Sequence, residues 1–461
     1  MKEGISLFEE RLQKEGIPLR LQEIFIEYLN TLKDMGDRPV IWEEEISPIK
    51  KVTEARSLSS SYWRRGEESK GEVVEIKLNG GLGTSMGMPY PKSLIKVKEG
   101  FTFLDITIRQ CRFQGIPLCL MNSFYTHEHI LSYLKDNYPD YERDIYIFEQ
   151  HRVPKVMVDG LEPARWEKDP LLEWNPAGHG DIYAALFYSG LMERFLEMGI
   201  RYAFVSNIDN LGAIFEPSIL GYIKEKEIPF LMEVTRRMPR DRKGGHVASM
   251  GNKIILREVA QCPQEELDCF MDIKRHPYFN TNNIWMDLKY LKDYIEKKGL
   301  PRLPLIANPK HIDPRDETSP MVFQLETAMG CAISIFEGAR IIGVERKRYI
   351  PVKNTADLMV VGSDCYVLGE DFVLRLSSPY SLPHVELDDK FYKKIDQFTS
   401  RFPQGLPSLK YCSLLRVEGD VLFEGGVRCI GEVEVINTSP QQALISQGRE
   451  LTGKIILKNG E

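Results

Sequence analysis

The sequence predicts an α/β protein with an N-terminal helical segment, a central mostly parallel sheet and a C-terminal left-handed β-helix. Apolar residues recur near a 3.6-residue period over Ile17–Met35, which is typical of a helix. From Glu72 onward, short β-rich runs alternate with helical patterns, and this alternation favours a parallel sheet with helices on both faces. Near the C-terminus glycine and valine recur every six residues, as in the coils of a β-helix.

The composition is that of an ordinary globular protein and excludes several classes of partner. The 461 residues suffice for two or three domains, and 43% are hydrophobic and 28% charged. A net charge of -7 gives no electrostatic reason to expect nucleic acid or an anionic membrane as a partner. No apolar run approaches the roughly 18 residues of a membrane span, and the first residues do not resemble a signal peptide. Eight scattered cysteines without a C-x-x-C pair indicate reduced thiols, so we expect a cytoplasmic location.

The first 70 residues are expected to form the helical segment and a linker. The helix over Ile17–Met35 carries its apolar side chains on one face. The stretch Gly36–Gly71 is polar, of mixed charge and without clear periodicity. We therefore expect an extended connection here that wraps around the next domain.

Residues 71–390 are expected to form the catalytic α/β domain. The β-rich runs are Val73–Leu78, Leu118–Met121, Ile145–Phe148, Tyr202–Ser206 and Phe230–Val234. The helical patterns are Leu104–Phe113, His127–Asn137, Ile182–Met198, Ile219–Lys226 and Thr355–Val361. In open sheets of this kind ligands bind beyond the carboxyl ends of the strands, so functional residues should follow the strand ends.

Residues 391–461 carry the six-residue repeat. Gly419, Gly425 and Gly431 share this spacing, and two registers of apolar residues keep it as well. Each hexapeptide would form one flat face of a β-helical coil. The alternative is a twisted hairpin that happens to contain glycines.

A glycine-rich loop follows the first strand of the sheet. Lys77-Leu78-Asn79-Gly80-Gly81-Leu82-Gly83-Thr84-Ser85-Met86-Gly87 is followed by Pro91-Lys92-Ser93. Glycines let the backbone approach a ligand closely, and exposed N–H groups there can bind a phosphate or a base edge. The loop is neither a P-loop, since Met88 follows the last glycine, nor a dinucleotide fingerprint, because its glycine spacing is one residue too long. A structural turn without a ligand is the alternative.

The loop and a series of later blocks resemble the eukaryotic-type UTP–glucose-1-phosphate uridylyltransferase family. The blocks keep the family's order over about residues 70–365 and read MNS at 121–123, QHR at 150–152, NPAGHGD at 175–181, SNIDNLGA at 206–213, MEVT at 232–235, FNTNN at 279–283, QLETA at 324–328 and PVK at 351–353. The resemblance implies a Rossmann-like nucleotidyltransferase sheet and a reaction of UTP with glucose 1-phosphate that yields UDP-glucose and pyrophosphate.

The reaction needs no enzyme nucleophile, because an oxygen of the sugar phosphate can attack the α-phosphorus of UTP directly. Catalysis then consists of alignment and charge neutralisation. Asp209 follows a strand end, and a lone carboxylate suits Mg²⁺ held mainly by substrate phosphates. From their positions in the family, Lys92 and Lys353 are the candidates for binding the phosphates. The alternative for each is that it is an ordinary surface lysine.

The resemblance extends to the substrate contacts. For the nucleotide it implies Leu78, Asn79, Gly80, Gly81, Lys92, Gln150, Gly178, Asn207 and Asp209. A glutamine amide suits a uracil edge, because it donates and accepts hydrogen bonds at once. For the sugar phosphate the candidates are His179, Asn207, Glu233, Asn280, Asn282 and Lys353. The alternative for His179 is a loop histidine without a ligand. The alternative for the asparagines and Glu233 is an ordinary surface position.

Two departures and two other functions stay open at this point. His246-Val247 replaces the more usual Thr-Leu, and the stretch before the glycine loop is short for the family. Ser85 stands where relatives that act on N-acetylhexosamine phosphates or other nucleotides carry arginine. A sister pyrophosphorylase acting on another sugar phosphate is one alternative, because sugar choice depends on few contacts. A non-catalytic nucleotide sensor or scaffold is the other. Self-association through the β-helix is also left open.

Overall fold

The computed structural model describes residues 2–34, 40–83, 86–378 and 381–458. Within these ranges the helices are α1 (Lys2–Lys14), α2 (Leu19–Asp34), α3 (Ser60–Glu68), α4 (Phe103–Gln114), α5 (His127–Asn137), α6 (Ile182–Tyr188), α7 (Leu191–Glu197), α8 (Pro217–Lys226), α9 (Leu267–Met271), α10 (Leu288–Lys298), α11 (Thr355–Gly362), α12 (Asp389–Tyr392) and α13 (Ile395–Arg401). Among the described residues, no helix combines the length and the apolar character that crossing a membrane requires.

The strands fall into one large sheet and several small ones. They are β1 (Ser47–Pro48), β2 (Val73–Asn79), β3 (Lys96–Lys98), β4 (Phe101–Thr102), β5 (Leu118–Asn122), β6 (Ile145–Glu149), β7 (Arg152–Pro154), β8 (Val156–Met157), β9 (Trp174–Pro176), β10 (Tyr202–Asn207), β11 (Phe230–Arg236), β12 (His246–Met250), β13 (Lys253–Arg257), β14 (Tyr278–Asp287), β15 (Leu305–His311), β16 (Met321–Thr327), β17 (Arg340–Gly343), β18 (Tyr366–Leu368), β19 (Leu374–Leu376), β20 (His384–Leu387), β21 (Ser408–Glu418), β22 (Val421–Phe423), β23 (Arg428–Asn437), β24 (Ala443–Ile445) and β25 (Glu450–Leu457).

The central sheet is rich in parallel strands, as predicted, but it is mixed. Strands β6, β5, β2 and β10 pair in parallel in this order, and β11 pairs in parallel with β17. Between β10 and β11 lies β14, which is antiparallel to both. Strands β12, β13 and β1 extend the sheet in antiparallel pairs. The antiparallel β14 matters for function, because its first half lies at the carboxyl ends of its neighbours.

All five strands predicted for the sheet are confirmed, each ending one or two residues beyond its predicted end. The predicted helix Ile182–Met198 is wrong as one element. The structure has two helices, α6 and α7, because Gly190 adopts a φ of 75° and ends the first. Glycine is the residue that reaches this backbone conformation most readily.

The N-terminal helix over Ile17–Met35 is confirmed as α2 for residues 19–34, and Met35 lies outside the described residues. The expected extended connection over Gly36–Gly71 is wrong in part. Residues 36–39 lie outside the described part, strand β1 joins the central sheet, and residues 60–68 form helix α3. Helix α3 packs closely on α8, where a Cβ at Gly66 would lie 1.8 Å from the carbonyl oxygen of Pro217. Backbone contact at Gly66 and the packing of the Tyr62 ring on Tyr222 hold this helix.

The C-terminal sheet is parallel. Its strands run in the order β20, β21, β23, β25, and β22 pairs in parallel with β24 in a second sheet. Partners across neighbouring strands are about 20 residues apart in the chain, since Leu415 pairs with Val433 and Val433 with Gly453. The apolar side chains of Val421, Phe423 and other inward positions share one core with the segment that follows the glycine loop.

Candidate active site

The carboxyl ends of four parallel strands meet at one edge of the central sheet. Asn79 at the end of β2 pairs with Asn122 of β5, and Asn122 pairs with Glu149 of β6. On the other side Asn207 of β10 pairs with Leu78. Segments that follow these strands therefore converge, as expected for an open sheet of this type.

The glycine loop is held in place by polar groups from the neighbouring strand. The side chain of Asn79 donates to the Asn122 Oδ1 atom at 2.8 Å, and the hydroxyl of Ser123 donates to the Gly80 carbonyl at 2.7 Å. The N–H of Lys92 donates to the Gly81 carbonyl at 3.2 Å, which closes the loop on itself. Residues 84 and 85 lie outside the described part of the chain. The loop thus has a fixed base directly after the buried strand β2.

Gln150 lies against the loop. A Cβ at Gly80 would approach its Nε2 atom to 2.0 Å, so any larger residue there would displace the amide. The Gln150 N–H donates to the Asn122 carbonyl at 2.8 Å, which fixes the backbone, whereas the buried side-chain Oε1 has no donor among the described residues. A buried acceptor without a partner is costly, by about 1–3 kcal/mol, unless a ligand satisfies it. This amide is therefore suited to a planar ligand with an N–H group.

Lys92 and Asp209 are brought together from positions 117 residues apart. The Lys92 Nζ atom lies 2.5 Å from Asp209 Oδ2, and both side chains are about one-sixth exposed, at 17% and 15%. The second oxygen, Asp209 Oδ1, is buried and has no donor in the described structure. A positive charge that can turn toward a phosphate thus stands beside a carboxylate oxygen that is free to bind a cation.

The segment of Lys353 lies next to Asp209. The N–H of Val352 donates to the Asp209 carbonyl at 3.3 Å, and Asn210 and Pro351 form an antiparallel bridge. The N–H of Lys353 donates to Asp357 at 2.9 Å at the start of α11, while its side chain is exposed. The structure therefore brings the second candidate lysine to the same edge without pairing it with the first.

The loop of Gly178 and His179 is packed on strand β16. Gly178 has a φ of 86°, and a Cβ there would lie 2.7 Å from the Thr327 carbonyl oxygen, so only glycine fits without a shift. The N–H of Met329 donates to His179 Nδ1 at 3.1 Å. Burial lowers the pKa of His179 to about 4, so the ring is neutral and its proton resides on Nε2. His179 can therefore donate one hydrogen bond to a ligand.

Three asparagines converge at the bulge in β14. Glu233 pairs with Asn283 and Val234 with Asn280, so the two residues between them leave the regular ladder. Asn282 has a φ of 62°, and its amide donates to Asn207 Oδ1 at 2.8 Å. Its own Oδ1 is buried without a donor in the described structure. Asn280 accepts the N–H of Asn282 at 2.8 Å, so the cluster presents amides beside Asp209.

Glu233 belongs to a different, fully buried network. Arg348 donates to both of its oxygens, at 2.6 and 2.8 Å. Trp285 and Asn283 donate to the same carboxylate at 3.0 Å each. With both oxygens engaged by protein donors, the carboxylate holds the strands behind the asparagine cluster.

Glu258 is a residue of the site region that the sequence did not single out. It follows β13, and a Cβ at Gly245 would lie 2.5 Å from its Oε2 atom. Burial raises the pKa of Glu258, and the positive charge of Lys353 opposes this rise. No motif surrounds Glu258 in the sequence, and only the pairing of β12 with β13 brings it here.

A glycine loop at the carboxyl edge of the sheet, with a lysine–aspartate pair beside it, is an arrangement suited to an enzyme that binds a nucleotide. The sequence model of the family described as UTP–glucose-1-phosphate uridylyltransferase matches residues 21–429. The chain belongs to this family.

Relatives and solved structures agree with this assignment. UTP–glucose-1-phosphate uridylyltransferase 2 of Dictyostelium discoideum is 35% identical over 98% of this chain and 89% of its own length. The enzyme of Musa acuminata is 39% identical over 84% of this chain and 82% of its own. A point mutant of UDP-glucose pyrophosphorylase from Leishmania major, solved in complex with UDP-glucose, superposes with a TM-score of 0.90 at 37% identity and covers 98% of this chain and 99% of its own.

Proposed function

We propose that this protein transfers the uridylyl group of UTP to glucose 1-phosphate and releases pyrophosphate, forming UDP-glucose. The observation that carries the proposal is the convergence, at one sheet edge, of the Lys92–Asp209 pair with the unsatisfied amide of Gln150. The first suits a reacting phosphate and the second suits a base. The names of the family and of the relatives point to the same reaction.

For the nucleotide, we assign uracil recognition to Gln150 and to the backbone of residues 78–81. The free Oε1 of Gln150 would accept the base N–H, while loop N–H groups would donate to its carbonyl oxygens. The loop glycines keep side chains away from the base, and Gly178 lets its own loop approach the nucleotide from the other side.

For the reaction, we assign the phosphates to Lys92 and Lys353. An oxygen of glucose 1-phosphate attacks the α-phosphorus, a new P–O bond forms, and the bond to the bridging oxygen of pyrophosphate breaks. Lys92, held by Asp209, would neutralise charge on the nucleotide, and Lys353 would do so from the neighbouring segment. His179 would donate its Nε2 proton as a hydrogen bond, and no residue needs to act as a general base.

Mg²⁺ fits the site as the metal cofactor. Asp209 Oδ1 is buried and unpaired, and a carboxylate oxygen is the donor that Mg²⁺ prefers. Among the described residues no group of three His, Cys, Asp or Glu side chains could hold a metal, so substrate phosphates would complete the ligand set. Bound there, the ion would neutralise phosphate charge, while the chain itself aligns both substrates.

For the sugar, we assign Asn207, Asn280 and Asn282, with Glu258 as a further candidate. Their amides combine donors and acceptors, as hexose hydroxyls require. Glu233, which the sequence suggested as a sugar contact, we assign to the support of this cluster, since its oxygens are engaged by Arg348 and Trp285.

We propose the three-part division at 1–70, 71–390 and 391–461, with a left-handed β-helix at the C-terminus. Two parallel sheets with partners 18 to 22 residues apart, such as Leu415–Val433 and Val421–Ala443, support coils of about three hexapeptides. Self-association through its edge strands would fit this geometry. Eight free cysteines support a cytoplasmic location, where thiols stay reduced.

The test is pyrophosphate release from UTP and Mg²⁺ with the 1-phosphates of glucose, galactose and N-acetylglucosamine, and with ATP, dTTP and GTP as control nucleotides. We expect rapid release with UTP and glucose 1-phosphate. Release with another sugar alone would move the protein to a sister activity. A folded protein that binds UTP and releases no pyrophosphate with any sugar would contradict the proposed reaction and favour a sensor.

A further inference from the structure

A buried pair of side chains, His151 and Asp181, connects the segment of Gln150 with the segment of His179. His151 follows Gln150 directly, and Asp181 lies two residues after His179. The Asp181 side chain is 3% exposed, and its two oxygens lie 3.0 and 2.9 Å from His151 Nδ1. The same carboxylate accepts the backbone N–H of His151 at 2.6 Å. One aspartate thus fixes both the main chain and the ring of one residue.

This double contact controls the position of two proposed ligand groups. The peptide that Asp181 binds is the one that links Gln150 to His151, so its orientation sets the direction of the Gln150 side chain. On the other side Ala177, within the segment that leads to His179, donates its N–H to the His151 carbonyl at 3.0 Å. The base-contacting and phosphate-contacting segments are therefore tied to each other through this pair.

The surroundings of His151 favour the protonated form of its ring. Burial alone would lower the pKa of His151, but the hydrogen bond and the negative charge of Asp181 raise it above the ordinary value. The ring thus carries a proton on Nδ1 toward the carboxylate. Because Asp181 is buried and His151 is nearly so, solvent screens the pair weakly.

We propose that His151 and Asp181 are positioning residues that hold the uracil-reading Gln150 in register with the His179 loop. This inference rests on the proposed function, since it assigns Gln150 to the base. The pair acts through the segments on either side. Its loss should therefore reduce discrimination between uracil and cytosine, a property that a general loss of stability leaves unchanged.

The test compares His151→Ala with His151→Asn, because an asparagine amide places a donor near the position of Nδ1. We expect His151→Ala to lower the ratio of kcat/KM for UTP over CTP about 10-fold, which corresponds to one weakened hydrogen bond. His151→Asn should restore most of that ratio. The matched control is His311→Ala. His311 ends strand β15, at the end of the β15–β16 pair that is remote from Gly178, and its ring forms a hydrogen bond of 2.7 Å with the Ser319 carbonyl. The control should leave the ratio unchanged.

Two further measurements separate the inference from the proposed function. Calorimetric affinities for UTP and CTP give the same ratio without turnover, so the inference is tested even if the protein releases no pyrophosphate. In the double variant Gln150→Ala/His151→Ala, the loss of discrimination should not exceed that of Gln150→Ala alone, since both act through one amide. Unchanged discrimination in a folded His151→Ala protein, or full additivity with Gln150→Ala, would overturn the positioning role.

Discussion

The buried Glu233–Arg348 pair allows a prediction that separates support of the site from contact with the sugar. Glu233 is fully buried and Arg348 is 6% exposed, so neither charge can return to water when its partner is removed. Glu233→Gln keeps the size of the side chain and an acceptor for Trp285, but it removes the negative charge and turns the other acceptor into an NH2 group that faces donors of Arg348 and Asn283. The guanidinium then remains buried without a counter-charge.

The magnitude follows from this burial. Breaking a buried ion pair on one side typically costs about 3–5 kcal/mol of stability, because an uncompensated charge stays inside. In Glu233→Gln/Arg348→Met both charges are gone, while the glutamine can still accept from Trp285 or Asn283. We expect the double variant to lose about 1–2 kcal/mol, less than the single variant, because charge burial is the dominant cost.

The assay is urea unfolding followed by circular dichroism, together with the KM for glucose 1-phosphate at a temperature where each variant is folded. Support of the site predicts a large loss of stability for Glu233→Gln, partial recovery in the double variant, and a KM within about threefold of wild type. A wild-type unfolding midpoint combined with a KM raised 10-fold or more would refute the reasoning and place Glu233 on the sugar.

Three further predictions concern the lysine, the metal ligand and a buried histidine. Lys353→Ala should lower kcat by about 10²–10³-fold, as loss of a charge at a reacting phosphate typically does, while its exposed position leaves the melting temperature unchanged; full turnover would contradict the role. Asp209→Ala should abolish the Mg²⁺-dependent release of pyrophosphate. A rate that rises with added Mg²⁺ as it does in wild type would contradict the assignment. Burial lowers the pKa of His246 to about 2, and the neighbouring His276 adds to this effect. The His246 ring therefore stays neutral in the folded protein, whereas in the unfolded chain it takes up a proton below about pH 6.5. Stability should therefore fall as pH falls from about 6.5 toward 4, and His246→Leu should flatten this fall in urea midpoints measured at both pH values.

The elements that the sequence predicted correctly have strong local signals. The run Tyr202–Val205 is apolar throughout, because strands in the middle of a covered sheet are buried on both faces. Helix α5 was predicted with both of its ends, since its apolar side chains keep a helical period. The break at Gly190 was missed, because the helical periodicity continues on either side of it. Helix α3 was missed because it is short and mostly polar, and its inward face consists of little more than Tyr62 and Gly66.

The sequence nominates candidate site residues, but it does not show which of them contact each other. Glycine spacing and family blocks nominate Lys92 and Asp209 separately, whereas their contact depends on the register of β2 with β10. The partner of Glu233 is Arg348, 115 residues away in the chain, and no pattern in either segment predicts this contact. Glu258 reaches the site through a hairpin whose sequence carries no motif.

Three buried oxygens at the carboxyl edge, those of Gln150, Asp209 and Asn282, lack donors among the described residues. Each such oxygen costs about 1–3 kcal/mol if it stays unsatisfied, and the left-handed backbone of Asn282 adds about 1 kcal/mol or more. Directly behind them, Glu233 has donors for both of its oxygens, so the fold can satisfy polar groups at this depth. We infer from the contrast that the paired layer around Glu233 supports a front layer whose free acceptors are those proposed above for the base, the metal and the sugar.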